Sequence, residues 1–349
     1  MSALLKPIYQ PGWEREAIAA RLARKPFIPA SKLANGHVQT ILGRVIKRRP
    51  RLLEAITRER IFQVAPGVGV LGKCSWQSHR TLRPTVLILH GLEGSADSPY
   101  MVGLATKAMS AGFNVIRLNQ RNCGGTERLT STLYHAGLSE DIPRILSELM
   151  ERDGLRDFMI IGVSLGGNIA LKVTGQYGHQ ARSRIMGVVA ISPAIDVAAT
   201  IEALELRSNL IYHLLFMQKL RRHMRVKARL FPNLYDESLL RGVWSIRKFD
   251  EVYTAPSGGF RGLAEYYGQA SSRPLLKRIE IPTLIIHARD DPFIPFTIFE
   301  GREIDTNPNI ILLAPDHGGH VGFISARPED GSRFWAESRA IEFLALLKQ

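Results

Sequence analysis

Short apolar runs that alternate with segments of helical length constrain the fold of this chain most. The runs lie at about 60–64, 70–76, 84–90, 114–119, 158–163, 186–192, 283–288 and 310–314. Most are rich in β-branched and other apolar residues, which is typical of strands buried on both faces. The helical segments lie at about 98–111, 137–152, 166–178, 262–279 and 332–347. This alternation predicts an α/β fold with a mostly parallel, twisted sheet flanked by helices.

One long interval interrupts the alternation. About 90 residues separate the strand predicted at 186–192 from the strand predicted at 283–288, whereas a crossover between parallel strands needs about a dozen. We therefore predict an insertion at about 195–260 that forms a helical cap over the carboxyl edge of the sheet, where ligands bind in such folds. Residues 1–59 are predicted to form an N-terminal extension that packs on the core domain of residues 60–349.

Ser164 lies in the strongest chemical motif of the chain. Glycines stand two residues before it and two residues after it, in a G-x-S-x-G pattern. The pattern directly follows one predicted strand and directly precedes a predicted helix. That context is typical of a nucleophile elbow, a tight turn that presents a serine hydroxyl at the N-terminal end of a helix. The alternative is a small-residue turn or a phosphate-binding loop.

Ser164 needs a base to activate it, and the base needs an acid to orient it. Asp291 follows the strand predicted at 283–288 and directly precedes a proline, so it is the expected acid, with Asp290 as the alternative. His320 follows the last predicted strand and two glycines, so it is the expected base, with His317 as the alternative. The sequence therefore predicts the catalytic residues Ser164, Asp291 and His320.

The histidines of this region also allow a competing interpretation as a metal site. His317 and His320 are three residues apart, and His287 precedes them in the chain. The glycines between the first two disfavour a helix, and no cysteine lies near them. We therefore expect no metal site.

Two backbone amides are expected to form an oxyanion hole, the pair of donors that stabilises a tetrahedral intermediate. The first is the amide of Leu165, which directly follows the predicted nucleophile. The second is the amide of Leu92, which lies in the glycine-rich loop after the strand predicted at 84–90. In that loop glycines allow the backbone to turn its amides inward.

With these motifs the chain resembles the α/β-hydrolase superfamily over about residues 60–349. Finer matches resemble its YheT-like branch, the AB hydrolase 4 family of carboxylesterases and lipases. The matching motifs are Asn35–Thr40, His90–Gly94, Asn119–Gly125, Tyr134–Gly137, Asp290–Pro292 and His317–Phe323. The resemblance implies a Ser164–Asp291–His320 triad that hydrolyses short-chain esters or acylglycerols without a cofactor. Acyl transfer, thioester cleavage and a catalytically idle scaffold are the alternatives.

Charge and composition bear on partners and location. The formal net charge is +14, but no helix-turn-helix or aromatic-basic platform supports a nucleic-acid partner. The first residues, from Met1 on, lack the apolar core of a signal peptide, no run is long enough to span a membrane, and there are only two cysteines. These features favour a cytoplasmic protein, with weak contact to an anionic membrane as an additional hypothesis.

The predicted cap helix carries the feature behind the membrane hypothesis. Leu210, Leu214, Met217, Leu220 and Met224 recur at spacings of three and four, which places them in one apolar stripe. The basic run at 219–229 contains no acidic residue. Either the helix docks on a membrane, or the stripe packs on the core and lines an acyl pocket while the charges are solvated; we favour the second interpretation.

Overall fold

The computed structural model describes residues 14–48, 51–329 and 331–348. Parts of two predictions fall outside these residues. The expectation that the first residues lack a signal-peptide core concerns residues 1–13, and the proposed N-terminal extension includes both these residues and residues 49–50.

An eight-stranded sheet with the order β1-β2-β4-β3-β5-β6-β7-β8 forms the centre of the fold. The first two strands pair antiparallel, as do β2 and β4, and the other neighbours are parallel. The strands are β1 (Thr57–Ala65), β2 (Val68–Ser75), β3 (Thr85–Leu89), β4 (Asn114–Leu118), β5 (Phe158–Val163), β6 (Ile185–Ile191), β7 (Thr283–Ile286) and β8 (Ile310–Leu313). The predicted α/β fold with a mostly parallel sheet is confirmed.

The helices cover both faces of the sheet and build the cap. They are α1 (Arg15–Ala23), α2 (Gly36–Val45), α3 (Arg51–Ile56), α4 (Pro99–Ser110), α5 (Asp141–Asp153), α6 (Leu165–Tyr177), α7 (Val197–Leu204), α8 (Leu210–Leu230), α9 (Ile246–Phe249), α10 (Ala255–Ser257), α11 (Leu263–Ala270), α12 (Arg302–Asp305) and α13 (Trp335–Leu347). A single π-helical turn, Asp250–Thr254, joins α9 to α10. The central strands β3 and β5 are buried along their whole length, because helices pack against both of their faces.

Three predicted helices differ from those observed. The helix predicted at 137–152 begins four residues later, at Asp141. The helix predicted at 262–279 ends at Ala270, and a 3₁₀ turn follows over Arg273–Arg278. Pro274 lies four residues after Ala270 and has no backbone N–H to donate to the Ala270 carbonyl, so the α-helical hydrogen-bond pattern is interrupted there. The helix predicted at 332–347 begins only at Trp335, because Ser332–Phe334 (β10) pairs with Ile324–Glu329 (β9) in a hairpin that the sequence analysis missed.

The segment before β1 is held against the core by buried contacts. Leu22 of α1 is fully buried, and the guanidinium of Arg48 lies 2.7 Å from the carboxylate of Glu337 in α13. Both partners of this ion pair are nearly inaccessible to solvent. The predicted boundaries at 59/60 and at 195–260 stay predictions, although β1 begins three residues before the first of them, at Thr57.

No helix among the described residues combines the length and the apolar character that a membrane crossing requires.

Candidate active site

The turn between β5 and α6 places Ser164 at the carboxyl edge of the sheet. Ser164 has φ 56° and ψ −119°, a backbone conformation that is strained for a residue with a side chain. The turn is so tight that a Cβ atom at Gly162 would collide with the carbonyl oxygen of Gly166. Glycine is therefore required there, and the strained turn points the serine hydroxyl away from the sheet.

Three side chains from separate loops form one hydrogen-bonded chain. The Oγ of Ser164 lies 2.9 Å from Nε2 of His320, and Nδ1 of the same imidazole lies 2.8 Å from Oδ2 of Asp291. In the tautomer that satisfies both contacts, the imidazole donates to the carboxylate through Nδ1 and accepts from the serine hydroxyl through Nε2. The three residues singled out from the sequence are thus brought together from positions 29 to 156 residues apart.

The environment of Asp291 keeps its carboxylate charged and correctly aimed. The side chain is fully buried, and its second oxygen accepts hydrogen bonds from the backbone amides of Phe293 (2.8 Å) and Ile294 (3.1 Å). Burial acts to raise the pKa of Asp291, but the charge and hydrogen bond of His320, the charge of His287 and the Phe293 amide outweigh it. The pKa therefore lies below its ordinary value.

The alternatives Asp290 and His317 lie together in a different place. Their nearest side-chain atoms are 3.3 Å apart, and Asp290 also accepts a hydrogen bond of 2.8 Å from the amide of Gly319. The side chain of His317 is 44% exposed, and neither residue contacts Ser164 through a hydrogen bond or ion pair. This second pair therefore holds the loop that carries His320.

The third histidine of this region, His287, is buried behind the acid. Its Nε2 lies 3.1 Å from the carbonyl of Ile294, and its Nδ1 lies 3.9 Å from Asp291. Burial lowers the pKa of His287 to about 4, so the ring is neutral near pH 7. Within the described residues, no group of three or more His, Cys, Asp or Glu side chains is arranged to hold a metal ion.

The two backbone amides predicted to form the oxyanion hole belong to residues that line the inner side of the site together with Ser164. Leu165 is the first residue of α6, so its amide has no acceptor within the helix. The amide of Leu92 donates to no acceptor in the described part of the chain. The loop that carries Leu92 lies close to Ser164, since a Cβ atom at Gly91 would lie 3.0 Å from the Cβ atom of Ser164.

Buried hydrogen bonds hold the loop that carries Leu92. His90 is fully buried, and its ring lies 2.8 Å from the carbonyl of Gly91 and 3.1 Å from the amide of Gln120. Burial lowers the pKa of His90 to about 4, so the ring is neutral and can make both contacts. The amide of Gly91 donates to the hydroxyl of Tyr100 over 3.0 Å. The sequence analysis assigned no role to these supporting side chains.

Helix α2 contacts the loop of His320 directly, which the sequence analysis did not foresee. The hydroxyl of Thr40 donates to the carbonyl of Gly36 (2.6 Å) and accepts from the amide of His320 (2.8 Å). A Cβ atom at Gly36 would collide with the carbonyl oxygen of Asp290. The motif Asn35–Thr40 was the only sequence signal for this contact. The sequence did not indicate which residues the motif contacts.

Two cavities meet at Ser164 and His320. The inner cavity measures ≈ 90 Å³ and runs beneath the cap, where Val197, Leu220, Met224 and Phe249 are among its mostly apolar lining residues. The outer cavity is wider, at ≈ 590 Å³, and lies between α2 and the first half of α8. The hydroxyl of Ser164 therefore stands where a narrow apolar pocket meets a wide opening.

The apolar stripe of the cap helix divides between these two environments. Met217, Leu220 and Met224 are buried, whereas Leu210 and Leu214 are more than half exposed. The favoured interpretation, a stripe that packs on the core, therefore describes three of the five residues and is wrong for Leu210 and Leu214. In the first turns of α8 other side chains face inward, since His213 is buried and Tyr212 packs on Phe293 with ring centres 4.6 Å apart.

The basic run of the cap helix is likewise not uniformly solvated. Lys227 is completely buried, and its ammonium donates to Asn122 (2.9 Å) and to the carbonyl of Thr130 (2.5 Å). Lys219 donates to the carbonyl of Glu93, whose carboxylate lies 3.1 Å from the ring of His223. These contacts tie α8 to two loops at the carboxyl edge of the sheet, so the interpretation of this run as a solvated face was partly wrong.

Asp250 is an ionisable residue of the inner cavity that takes no part in the hydrogen-bonded chain from Asp291 to Ser164. Asp250 is buried among the lining residues and accepts a hydrogen bond of 3.1 Å from the hydroxyl of Tyr267. Burial raises the pKa of Asp250 to about 7. The carboxyl of Asp250 is therefore neutral below neutral pH and negatively charged above it.

Comparisons with known proteins agree with this architecture. Residues 84–326 match the family model described as the alpha/beta hydrolase fold. YheT of Escherichia coli (strain K12), described as a candidate esterase, is 30% identical over 326 residues, which are 91% of this chain and 92% of YheT. The monoacylglycerol lipase of Saccharomyces cerevisiae (strain ATCC 204508 / S288c) is 29% identical over 264 residues, which are 73% of this chain and only 58% of the lipase. The esterase Pf2001 of Pyrococcus furiosus has a similar structure, with a TM-score of 0.56 at 19% identity over 86% of this chain and 96% of Pf2001.

Proposed function

Since this chain belongs to the α/β-hydrolase family and to its YheT-like branch, we propose that it is a serine hydrolase that cleaves carboxylic esters. The hydrogen-bonded chain from Asp291 through His320 to Ser164 is the observation that carries the proposal. A serine hydroxyl is a weak nucleophile unless a neutral imidazole accepts its proton, and the imidazole needs a buried acid to set its tautomer. Asp291, His320 and Ser164 lie within hydrogen-bond distance in the order that this chemistry requires.

In the first half of the proposed reaction, the Oγ of Ser164 attacks the ester carbonyl and its proton moves to Nε2 of His320. The carbonyl oxygen becomes an oxyanion, which accepts hydrogen bonds from the amides of Leu92 and Leu165. Asp291 stabilises the imidazolium. When the intermediate collapses, the carbon–oxygen bond to the alcohol breaks and His320 returns the proton to the departing alcohol.

In the second half, water replaces the alcohol. The oxygen of the water attacks the acyl carbon while His320 accepts a proton from the water. A second oxyanion then forms at the same two amides. Collapse of this intermediate breaks the bond between the acyl carbon and Ser164 Oγ, and the proton returns to the serine. The products are a carboxylic acid and an alcohol, and no cofactor is consumed.

The shapes of the two cavities indicate where the acyl part and the alcohol part of an ester substrate would bind. The inner cavity is narrow and mostly apolar, so it suits a short acyl chain. The outer cavity is wider and opens between α2 and α8, so it suits the alcohol part and the entry of substrate. This assignment favours short-chain esters or acylglycerols as substrates, and the similarity to the yeast monoacylglycerol lipase is compatible with it.

Replacement of the proposed nucleophile tests this function. Ser164→Ala should lower turnover of a nitrophenyl butyrate ester by up to about 10⁶-fold, the loss typical of a triad nucleophile. It should also abolish covalent labelling by a fluorophosphonate, because that reagent reacts with the activated hydroxyl. Turnover is measured by nitrophenol absorbance and labelling by intact-protein mass spectrometry.

Ser183→Ala serves as the matched control, because its hydroxyl bonds only the nearby carbonyl of Gln180 at the surface. This variant should keep wild-type turnover and labelling. The proposal is wrong if the folded Ser164→Ala protein still turns over the ester at the wild-type rate or still reacts with the fluorophosphonate.

A further inference from the structure

The mouth of the outer cavity is surrounded by exposed apolar side chains. Fifteen large hydrophobic residues are exposed in the described part of the chain, and eight of them lie in just two segments, 36–48 and 206–222. We call these eight the apolar collar: Ile41, Val45, Ile46, Leu206, Leu210, Ile211, Leu214 and Leu215. Their exposed fractions range from 38% for Ile46 to 71% for Ile211. Scattered exposed leucines are normal, but a cluster of this kind marks an interaction surface.

The collar and the candidate active site share one opening. Ile41 and Val45 of α2 line the outer cavity, as do Ile211 and Leu215 of α8, and Ser164 lies in the same cavity. The two helices meet where His37 stacks on Tyr212, with ring centres 5.7 Å apart and a hydrogen bond of 3.1 Å. Beyond that contact they flank the opening from two sides.

The electrostatic character of the collar limits what can cover it. The two segments contain seven basic residues and no acidic residue. Arg48 pairs with Glu337, and Arg221 donates to two carbonyl groups. The others include four exposed cations for which no ion pair is recorded within the described residues, namely Arg44, Lys47, Arg207 and Arg222. An apolar centre with a purely positive border is complementary to a surface that has negative charges above an apolar interior.

We propose that the apolar collar docks on an anionic lipid surface. The apolar side chains enter the boundary between headgroups and acyl chains, and the four cations contact the headgroups. A second copy of this chain is a poor occupant, because a symmetric contact would bring the same positive borders face to face. In this arrangement the opening to Ser164 faces the lipid, so an ester substrate reaches the serine without crossing bulk water.

This inference depends on the proposed function only in the role given to docking, which is the delivery of a lipid ester to Ser164. The docking itself requires no turnover. The two proposals can therefore fail separately, since vesicle binding is measured without a substrate.

Sedimentation with vesicles tests the docking. The full chain should sediment with vesicles of phosphatidylglycerol and phosphatidylcholine at low salt, and much less with phosphatidylcholine alone. The double variant Leu210→Ser/Leu214→Ser removes two collar side chains that do not line the cavity. It should lower the partition coefficient about tenfold or more, because each leucine contributes apolar area to the contact. Its kcat/KM on soluble nitrophenyl butyrate should stay unchanged.

A second variant tests the charges. Lys47→Gln/Arg207→Gln/Arg222→Gln should weaken binding to anionic vesicles and reduce its dependence on salt, since exposed charges are screened within a Debye length. It should leave the weak binding to neutral vesicles unchanged.

Leu82→Ser/Ile61→Ser is the matched control, because these two exposed side chains lie outside the collar. It should sediment like the wild type. Three results would overturn the proposal: no sedimentation of the wild type at low salt, equal binding by the collar and control variants, or a stable dimer that the collar variant abolishes.

Discussion

At the scale of single residues, the adjacent aspartates Asp290 and Asp291 show that two neighbouring carboxylates can have different roles. Asp291 is completely shielded and contacts the ring of His320, whereas the side chain of Asp290 is 22% exposed and contacts a loop amide and His317. Both lie in the same loop after β7. The chain turns at this point, where the amide of Asp291 donates to the carbonyl of Ala288 over 3.2 Å. The two side chains leave the turn in different directions, and only Asp291 reaches the imidazole of His320.

Replacement of each carboxylate by its amide should separate these roles. Asp291→Asn should lower kcat by about 10⁴-fold, because an amide favours the wrong tautomer of His320 and does not stabilise the imidazolium. Asp290→Asn should cost less than about tenfold, because the amide oxygen can still accept from Gly319. Steady-state kinetics on one soluble ester would measure both variants, and the opposite ranking would assign the acid to Asp290.

At the scale of elements, helix α2 supports the active-site loop from outside the main sheet. Its residue Thr40 is buried and bonds the backbone amide of His320, so the helix positions the proposed base without touching the reacting atoms. The cap helix α8 has a comparable supporting role, since the ammonium of Lys227 bonds the loop that contains Asn122. Elements far from Ser164 in the sequence therefore hold the loops around it.

Thr40→Val should lower kcat about tenfold or more with little change in folding, because the variant leaves the buried amide of His320 without an acceptor. Thr40→Ser keeps the hydroxyl and should restore most of the activity. Thr306→Val is a matched control, since that hydroxyl bonds the carbonyl four residues earlier on an exposed helix end. Equal activity of the Thr40 valine and serine variants would show that the hydroxyl does not position His320.

At the scale of the whole molecule, Asp250 couples the stability of the protein to pH. Folding raises the pKa of Asp250 from an ordinary value near 3.8 to about 7. Between these two values the folded protein binds more protons at this site than the unfolded chain, so the contribution of Asp250 to stability falls as pH rises. Above pH 7, Asp250 is ionised in both the folded and the unfolded protein, so its contribution to the free energy of unfolding becomes constant.

Asp250→Asn should remove this dependence, because the amide stays neutral and its oxygen can still accept from Tyr267. Relative to wild type, the free energy of unfolding of the variant should rise between pH 4 and pH 7 by up to about 4 kcal/mol, three pKa units at 1.36 kcal/mol each. Urea unfolding at several pH values would measure the difference. A difference that is the same at pH 4 and pH 8 would contradict the argument.

The sequence by itself determined the sheet and the chemical types of the candidate site. All eight strands of the main sheet were predicted to within three residues at each end. Those buried on both faces, such as β3 and β5, are continuous apolar runs that can be recognised locally. The order of Ser164, Asp291 and His320 along the chain, each just past a strand, was equally readable. Strand ends in a parallel sheet converge on one edge, so residues that follow them can be expected to meet.

Tertiary structure alone decided which side chains support that edge and which remain exposed. The contact of Thr40 with His320 joins residues 280 positions apart, and no periodicity encodes such a pairing. The apolar stripe of α8 looks uniform in sequence, yet Met217 and Met224 are buried while Leu210 and Leu214 face solvent. Local pattern records which face of a helix is apolar, but how far that face is covered depends on the length and position of the partner surface, and these exist only in the folded chain.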